Sequence, residues 1–200
     1  LAELGEQRAS GNVTIPHKEA VAALCVRWSP LAERCGAVNT FWHEDGELVG
    51  DNTDVGGVDA IAGALLGDAR RSARVALLGA GGSAAAVIAA AERWGSARVR
   101  VYSRTMDRAR ALASRFGRLV DVVTAVGDAL DDATLVVNAT PIGLHDEDVP
   151  FSVERIPAGA AVFDLVYRTG ETAWVRAARN AGHRAADGEE RLLRGVAEEP

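Results

Sequence analysis

The chain has 200 residues, a formal net charge of −6, 48% hydrophobic and 25% charged side chains. That is the make-up of an ordinary globular protein, long enough for one large or two small domains. No apolar run approaches a membrane span, and the acidic balance argues against a nucleic-acid surface, so neither partner is expected. The four histidines (His17, His43, His145, His183) are scattered, and Cys25 and Cys35 lack metal spacing. No metal is expected, and with no secretory signal the thiols are expected to be reduced, in a cytoplasmic protein. The opening Leu-Ala-Glu-Leu, rather than Met, leads us to expect missing residues at the front.

In chain order, residues 1–11 are polar and say little. Asn12 to Pro16 reads as a short strand stopped by the proline, followed by a helix from Lys18. Ala22, Leu24, Cys25, Val26 and Trp28 are its expected packing face, and Ser29-Pro30 its break. A second short helix is expected from Leu31 to Cys35, closed by Gly36. Ala37–Trp42 and Glu47–Gly50 read as two strands of a hairpin, because Asp45-Gly46 between apolar runs is a strong turn signal. Asn52 and Asp54 are helix-capping types, and Val55, Val58, Ile61 and Leu65 follow at helical spacing. That helix should end near Gly67, with Asp68–Ser72 a linker.

From Arg74 onward, strand and helix patterns alternate. Strands are expected at Val75–Leu78, Val99–Tyr102, Val120–Val123, Thr134–Asn138 and Ala161–Asp164. Helices fall between them, most clearly at Met106–Phe116 and Thr172–Ala181. Such alternation implies an α/β fold, a Rossmann-type doubly wound parallel sheet covered on both faces, preceded by a second, smaller α/β domain. Ligands of such sheets lie beyond the strands' carboxyl ends, which here carry Gly79, Ser103, Asn138-Ala139-Thr140-Pro141 and Asp164 to Tyr167.

The first strand of that series ends in Gly79-Ala80-Gly81-Gly82-Ser83-Ala84 and runs into an alanine-rich helix. In the pattern G-x-G-x-x-A, Gly79 permits a tight turn and Gly81 lets backbone approach a pyrophosphate. Ala84 lets the helix pack closely, and the helix N-terminus offers unpaired N–H groups to phosphates. The next strand ends in Ser103-Arg104-Thr105, with Arg108 a turn later, where an NAD-preferring fold places an acidic residue for the ribose 2′-hydroxyl. Guanidinium groups suit a 2′-phosphate, so NADP(H) is expected rather than NAD.

The candidates for chemistry are Lys18, Asn39, Asp54 and Tyr167. A lysine and a carboxylate together can move a proton on or off a hydroxyl while hydride moves to nicotinamide. From spacing alone, Lys18 also reads as a surface lysine, Asp54 as a helix cap and Asn39 as a turn residue.

Asn12 to Lys18, Gly36-Ala37-Val38-Asn39-Thr40, Gly50-Asp51-Asn52-Thr53-Asp54 and Gly79 to Gly82 closely resemble, in that order, the motifs of shikimate dehydrogenases. Ser103-Arg104-Thr105 with Arg108 resembles their NADP clamp, and Asn138 to Gly143, Asp164 to Tyr167 and Asp187-Gly188 continue the match. The resemblance implies NADPH-dependent reduction of 3-dehydroshikimate to shikimate, on the way to chorismate and the aromatic amino acids. It implies Lys18 and Asp54 as the catalytic pair and Thr14, Asn39 and Tyr167 as substrate contacts. Gly79, Ala80, Gly81, Gly82, Ser83, Ser103, Arg104, Thr105, Arg108, Leu165 and Gly188 are implied to hold the cofactor. The implied substrate domain is discontinuous: residues 1–67, with 187–200 returning to it, around a nucleotide domain of residues 68–186. A homodimer is compatible with the resemblance.

The sequence departs from the family pattern in three places. The family's first strand and its Ser-x-Ser motif are not found within these residues and are expected ahead of Leu1. Gly195 stands where a substrate-binding glutamine is usual, and Arg191 where an apolar residue is usual. The alternatives to a shikimate dehydrogenase are therefore a quinate or related ring-acid dehydrogenase on the same fold, and a non-catalytic NADP-binding module.

Overall fold

The computed structural model describes residues 10–95, 97–145 and 147–188. Packing divides the chain into two compact units that part at Val55–Gly56. That division falls inside a helix, α3 (Asp54–Leu66), rather than after it. The returning segment expected beyond Gly188 lies outside the described residues.

The first unit is built on a four-stranded sheet of β1 (Gly11–Asn12), β2 (Arg27–Trp28), β3 (Thr40–Glu44) and β4 (Glu47–Asp51), in the order β1-β3-β4-β2. β3 and β4 form the expected hairpin, with Glu44 opposite Glu47 and Thr40 opposite Asp51. Its two turn residues, Asp45 at φ 53° and Gly46 at φ 83°, both take the left-handed conformation that a twisted two-residue turn demands. Helix α2 (Pro30–Cys35) starts and stops for the reasons legible in its sequence. The Ser29 hydroxyl accepts from the Ala32 amide, proline fills the first turn, and Gly36 closes the helix at φ 64°.

Helix α1 (Lys18–Ala22) is shorter than the apolar pattern implies. Leu24 and Val26 are 44% and 67% exposed, so they are not part of a packing face. The chain turns at Ala23–Cys25, the Val26 amide donates to the Leu48 carbonyl, and Arg27–Trp28 pairs in parallel with Val49–Gly50. Strand pairing at the edge of β4 has overridden the helical spacing of those residues. Val21, Ala22, Cys25, Ala32, Val38, Phe41 and Leu48 make the core of this unit.

The second unit carries a six-stranded sheet. In chain order its elements are β5 (Arg74–Leu78), α4 (Gly82–Glu92), β6 (Arg98–Tyr102), α5 (Met106–Phe116), β7 (Val120–Val123) and α6 (Val126–Leu130). Then come β8 (Leu135–Asn138), β9 (Ala161–Asp164), α7 (Ala173–Asn180) and β10 (Ala185–Ala186). The sheet order is β10-β9-β8-β5-β6-β7, and every neighbouring pair is parallel. The five strands expected of this unit are all present, and Asp68–Ser72, the expected linker, lies in a 3-10 helix, Gly67–Ser72; in the first unit the strand expected over Asn12–Pro16 is confined to Gly11–Asn12. β10 is an addition at the edge.

This order places the topological switch between β5 and β8, since the chain runs outward from β5 through β7 and returns on the other side with β8. A crevice opens at the carboxyl ends of two strands whose connections leave in opposite directions. Every residue of α4 from Ser83 to Ala91 is buried, and most of them are alanine, small enough to let the helix lie close to its neighbours.

Gly50 gives a direct test of packing in the first unit. A Cβ there would lie 2.5 Å from a Val38 methyl and 2.9 Å from the Cys25 sulfur. Gly50→Ala should therefore cost about 1–3 kcal/mol by overpacking. Urea unfolding checks this, and an unchanged midpoint would contradict the packing described.

Candidate active site

Three segments of the first unit bring their polar residues to one place. Lys18 is the first residue of α1, and its carbonyl accepts from the Val38 amide at 3.1 Å. The backbone of Asn39 is fixed on both sides: its amide donates to the Asp51 carbonyl at 3.0 Å, and its carbonyl accepts from Val13 at 2.6 Å. Asn52 is fully buried, and its amide side chain donates to the Ala37 carbonyl at 2.9 Å, pinning the same loop. Asp54 opens α3 at the end of the β4 segment.

Lys18 Nζ donates to Asp54 Oδ2, with the two residues only 7% and 4% exposed. The other carboxylate oxygen, Oδ1, accepts from Asn39 Nδ2 at 3.0 Å. Asn39 Nδ2 also donates to Thr53 Oγ1 at 3.0 Å, while its carbonyl oxygen accepts from the Thr53 amide at 2.9 Å. The Asn39 side chain is thus locked in one orientation, and it locks the carboxylate in turn. Lys18, Asn39 and Asp54 are brought together; Thr14 is exposed on the segment before His17, whose amide donates to the Thr14 carbonyl.

In the sequence, Asn52 and Asp54 read as helix-capping types. The Asn52 amide instead holds the Ala37 carbonyl, and both Asp54 oxygens face Lys18 and Asn39. Thr53 was not singled out as a functional residue. Its place between Asn52 and Asp54, in a run of hydrogen-bonding residues, is the signal that it holds Asn39.

The second unit holds the glycine turn. Gly79 has φ +106°, and a Cβ on it would lie 2.8 Å from the Ala139 carbonyl oxygen, so this turn admits only glycine. A Cβ on Gly81 would meet no protein atom within 4 Å. Protein packing therefore does not require glycine there, and the open space leaves room for the close approach of a phosphate. Gly81 precedes the first residue of α4, so the helix's unpaired N–H groups open beside it. Ala80 and Gly82 are half-buried and Ser83 is buried in the first turn.

Beyond β6, the Thr105 amide donates to Ser103 Oγ at 3.2 Å, folding the turn that leads into α5. Arg104 and Arg108 are exposed, and among the described residues neither makes an ion pair. Several other arginines of the chain are paired, Arg74 and Arg100 with Asp132 among them. Two cations beside the strand end, with no acidic partner, fit an added phosphate. The residues present therefore fit a phosphorylated dinucleotide.

At the ends of β8 and β9, Asn138 and Asp164 are joined by a buried hydrogen bond of 2.9 Å, Asn138 Nδ2 to Asp164 Oδ1. Leu165 is half-buried in the turn that follows, and its amide donates to the Asn138 carbonyl at 2.9 Å. Tyr167 projects at 53% exposure. Gly188 reaches the same turn: its amide donates to the Val166 carbonyl at 3.1 Å, and a Cβ would lie 2.6 Å from that oxygen. Gly195 and Arg191 lie outside the described residues. Among the described residues no group of three or more His, Cys, Asp or Glu could hold a metal ion, and no helix is long and apolar enough to cross a membrane.

The strand order and the glycine turn at the switch point define a dinucleotide-binding Rossmann protein. Two family models match: the shikimate dehydrogenase substrate binding domain over residues 1–41, and a coenzyme F420-dependent NADP oxidoreductase domain over residues 74–166. The chain is 39% identical over 186 residues to a shikimate dehydrogenase (NADP(+)) of Chelativorans sp., covering 92% of this chain and 67% of that protein. It matches the crystal structure of a shikimate 5-dehydrogenase from Thermus thermophilus, in complex with NADP(H) and shikimate. That match has a TM-score of 0.82 and 36% identity, covering 98% of this chain and 72% of the other. A quinate dehydrogenase from Corynebacterium glutamicum, in complex with NAD, matches at TM-score 0.82 and 32% identity, with 98% and 72% coverage. The chain belongs to the shikimate dehydrogenase family and spans about two thirds of the length of such curated relatives.

One group of the site titrates far from its usual place. Burial pushes the Asp164 carboxyl from the ordinary 3.8 up to about 6, and the nearby Asp187 carboxylate adds to the rise. Hydrogen bonds from Val166, Thr172 and Asn138 oppose it. Because the folded-state value is the higher one, folding favours the protonated form. The contribution of this group to stability is full below about pH 4 and is lost as the pH rises through about 6. A rise of that size is worth roughly 3 kcal/mol. The stability of the wild-type chain relative to Asp164→Asn should therefore fall as the pH rises from about 4 to about 6. Urea unfolding in a pH series measures this, and parallel curves would contradict it.

Proposed function

We propose that the chain catalyses the NADP-dependent interconversion of shikimate and 3-dehydroshikimate, a reversible step of the pathway to aromatic amino acids. The observation that carries this reading is the buried Lys18–Asp54 pair held by Asn39, in a chain whose relatives are named shikimate dehydrogenases using NADP(+). An ion pair shielded from water is a poor source of stability but a suitable proton-handling site.

In this reading Lys18 Nζ, as the neutral amine, accepts the proton of the substrate hydroxyl during oxidation, and as the ammonium paired with Asp54 it returns that proton during reduction. Asp54 orients the hydroxyl and shares the proton, and Asn39 holds both the carboxylate and the substrate. Thr14 and Tyr167 supply further substrate contacts. Bound NADP(H) supplies the hydride acceptor or donor. The backbone from Gly79 to Ser83 cradles the pyrophosphate, and Ser103, Arg104, Thr105 and Arg108 hold the 2′-phosphate. Leu165 and Gly188 border the cofactor's other end. A homodimer and a cytoplasmic setting go with the same reading.

Lys18→Ala should lower turnover by at least about a thousandfold, because proton transfer and hydroxyl positioning are lost together. Its affinity for NADP should stay within about threefold of wild type, read by quenching of tryptophan fluorescence. Loss of both together would contradict the assignment of Lys18. Arg104→Gln should weaken NADP by about tenfold, the worth of one charge-assisted contact, and NAD by much less. Equal weakening of the two would count against the 2′-phosphate clamp.

A further inference from the structure

Asp164 is 1% exposed, sits at the end of β9 and takes no part in the chemistry just described. An ionised or neutral carboxyl at such a depth needs a reason, and its partners supply one. Oδ1 accepts from Asn138 Nδ2 at 2.9 Å and from the Val166 amide at 3.1 Å; Oδ2 accepts from Thr172 Oγ1 at 2.9 Å. These three donors belong to three different places. Asn138 ends β8, Val166 lies in the turn after β9, and Thr172 caps α7, its hydroxyl accepting from the Val175 amide at 3.2 Å.

Asn138 passes the constraint onward. Its Nδ2 also donates to the Ile142 carbonyl at 3.2 Å, and its Oδ1 accepts from both the amide and the hydroxyl of Thr140, at 3.0 and 2.7 Å. Thr140 in turn holds the Ile142 amide at 3.3 Å. The loop after β8 and the turn after β9 are therefore both folded around the Asn138–Asp164 pair. Ala139 at the root of the first loop is the residue against which Gly79 closes, and the turn after β9 carries Leu165 and Tyr167.

We propose that Asp164 is a positioning residue: through Asn138, Val166 and Thr172 it clamps the 138–143 loop and the 165–167 turn into the one arrangement that presents Leu165 to the cofactor and Tyr167 to the substrate. This rests on the functional reading above for the roles of Leu165 and Tyr167. The clamp itself rests on the hydrogen bonds alone. Its effect falls on the nicotinamide end of the cofactor, since the phosphates are held elsewhere, at Gly79–Ser83 and Arg104.

The test uses the whole chain and two readouts. In Asp164→Ala, amide hydrogen exchange should quicken at least about tenfold in 139–143 and 165–167, with β5 and β6 unchanged. kcat for shikimate oxidation should fall about 10- to 100-fold, the scale of a misplaced reacting group, while the Kd for NADP stays within about threefold. Asp164→Asn keeps an acceptor for Asn138 and Val166 and a donor towards Thr172, so it should recover most of both losses. Unchanged exchange in the two segments, a uniform rise across the whole sheet, or Asp164→Asn as impaired as Asp164→Ala would each overturn the clamp. Should Asp164→Ala fail to fold, Thr172→Val removes the donor to Oδ2 together with the α7 cap, and loss of the cap alone would quicken exchange only in α7. Thr172→Val should quicken exchange in 165–167 and lower kcat severalfold, and a change in neither would overturn the proposal. If the wild-type chain turns over nothing, the functional reading falls, and hydrogen exchange alone decides the clamp.

Discussion

The buried pair of Lys18 and Asp54 is the interaction on which the first unit is organised. A charge taken out of water costs several kcal/mol, and the mutual attraction of a pair offsets that only when the geometry is good and the remaining hydrogen-bonding capacity is met. Asn39 takes up the second carboxylate oxygen, and backbone brings the partners together. The first residue of α1, the loop before β3 and the start of α3 each contribute one side chain. The hydrogen bonds between Val38 and Lys18, and between Asn39 and Asp51, keep those segments in register. A hydrophobic cluster of the same volume would stabilise such a small unit better. The proposed proton transfer gives the charge pair its reason, and the sheet and its hairpin are the frame that holds it.

The second unit meets a different constraint. Parallel strands end together, and whatever binds there must be held by backbone and loops rather than by the buried sheet. Gly79 shows how tightly this is drawn, because the turn after β5 and the loop after β8 approach until no Cβ fits between them. Gly81 is the complementary case, a glycine that no protein neighbour requires. In the proposed reading the two arginines beside β6 add an electrostatic demand, at a 2′-phosphate, to the geometric one at the glycine turn.

Much of this was legible in the sequence because the signals were local. Asp45-Gly46 specifies a two-residue turn, Ser29-Pro30 and Gly36 delimit a helix, and apolar strands alternating with helices specify a parallel sheet. The glycine turn announces both its conformation and its ligand. What failed was non-local. Ala22, Cys25 and Val26 fall at helical spacing, yet the helix stops at Ala22 and Arg27–Trp28 is a strand, because β4, far along the chain, offers an unpaired edge. β10 is two alanines, a residue type with little strand preference, and only its neighbour β9 makes it one. Asn52 looks like a cap in sequence, and only the folded chain brings the Ala37 carbonyl to it. The depth at which Asp164 lies, and the three donors it collects, likewise follow from topology and from no pattern along the chain.

These residues are proposed to form a working shikimate dehydrogenase site. The most direct measurement is oxidation of shikimate by the 200-residue chain, followed as reduced nicotinamide appears, with NADP and NAD compared and quinate as second substrate. Turnover of shikimate with NADP, exceeding that with NAD and that of quinate, is the expected result. No turnover of either acid by a folded chain that still binds NADP would contradict it.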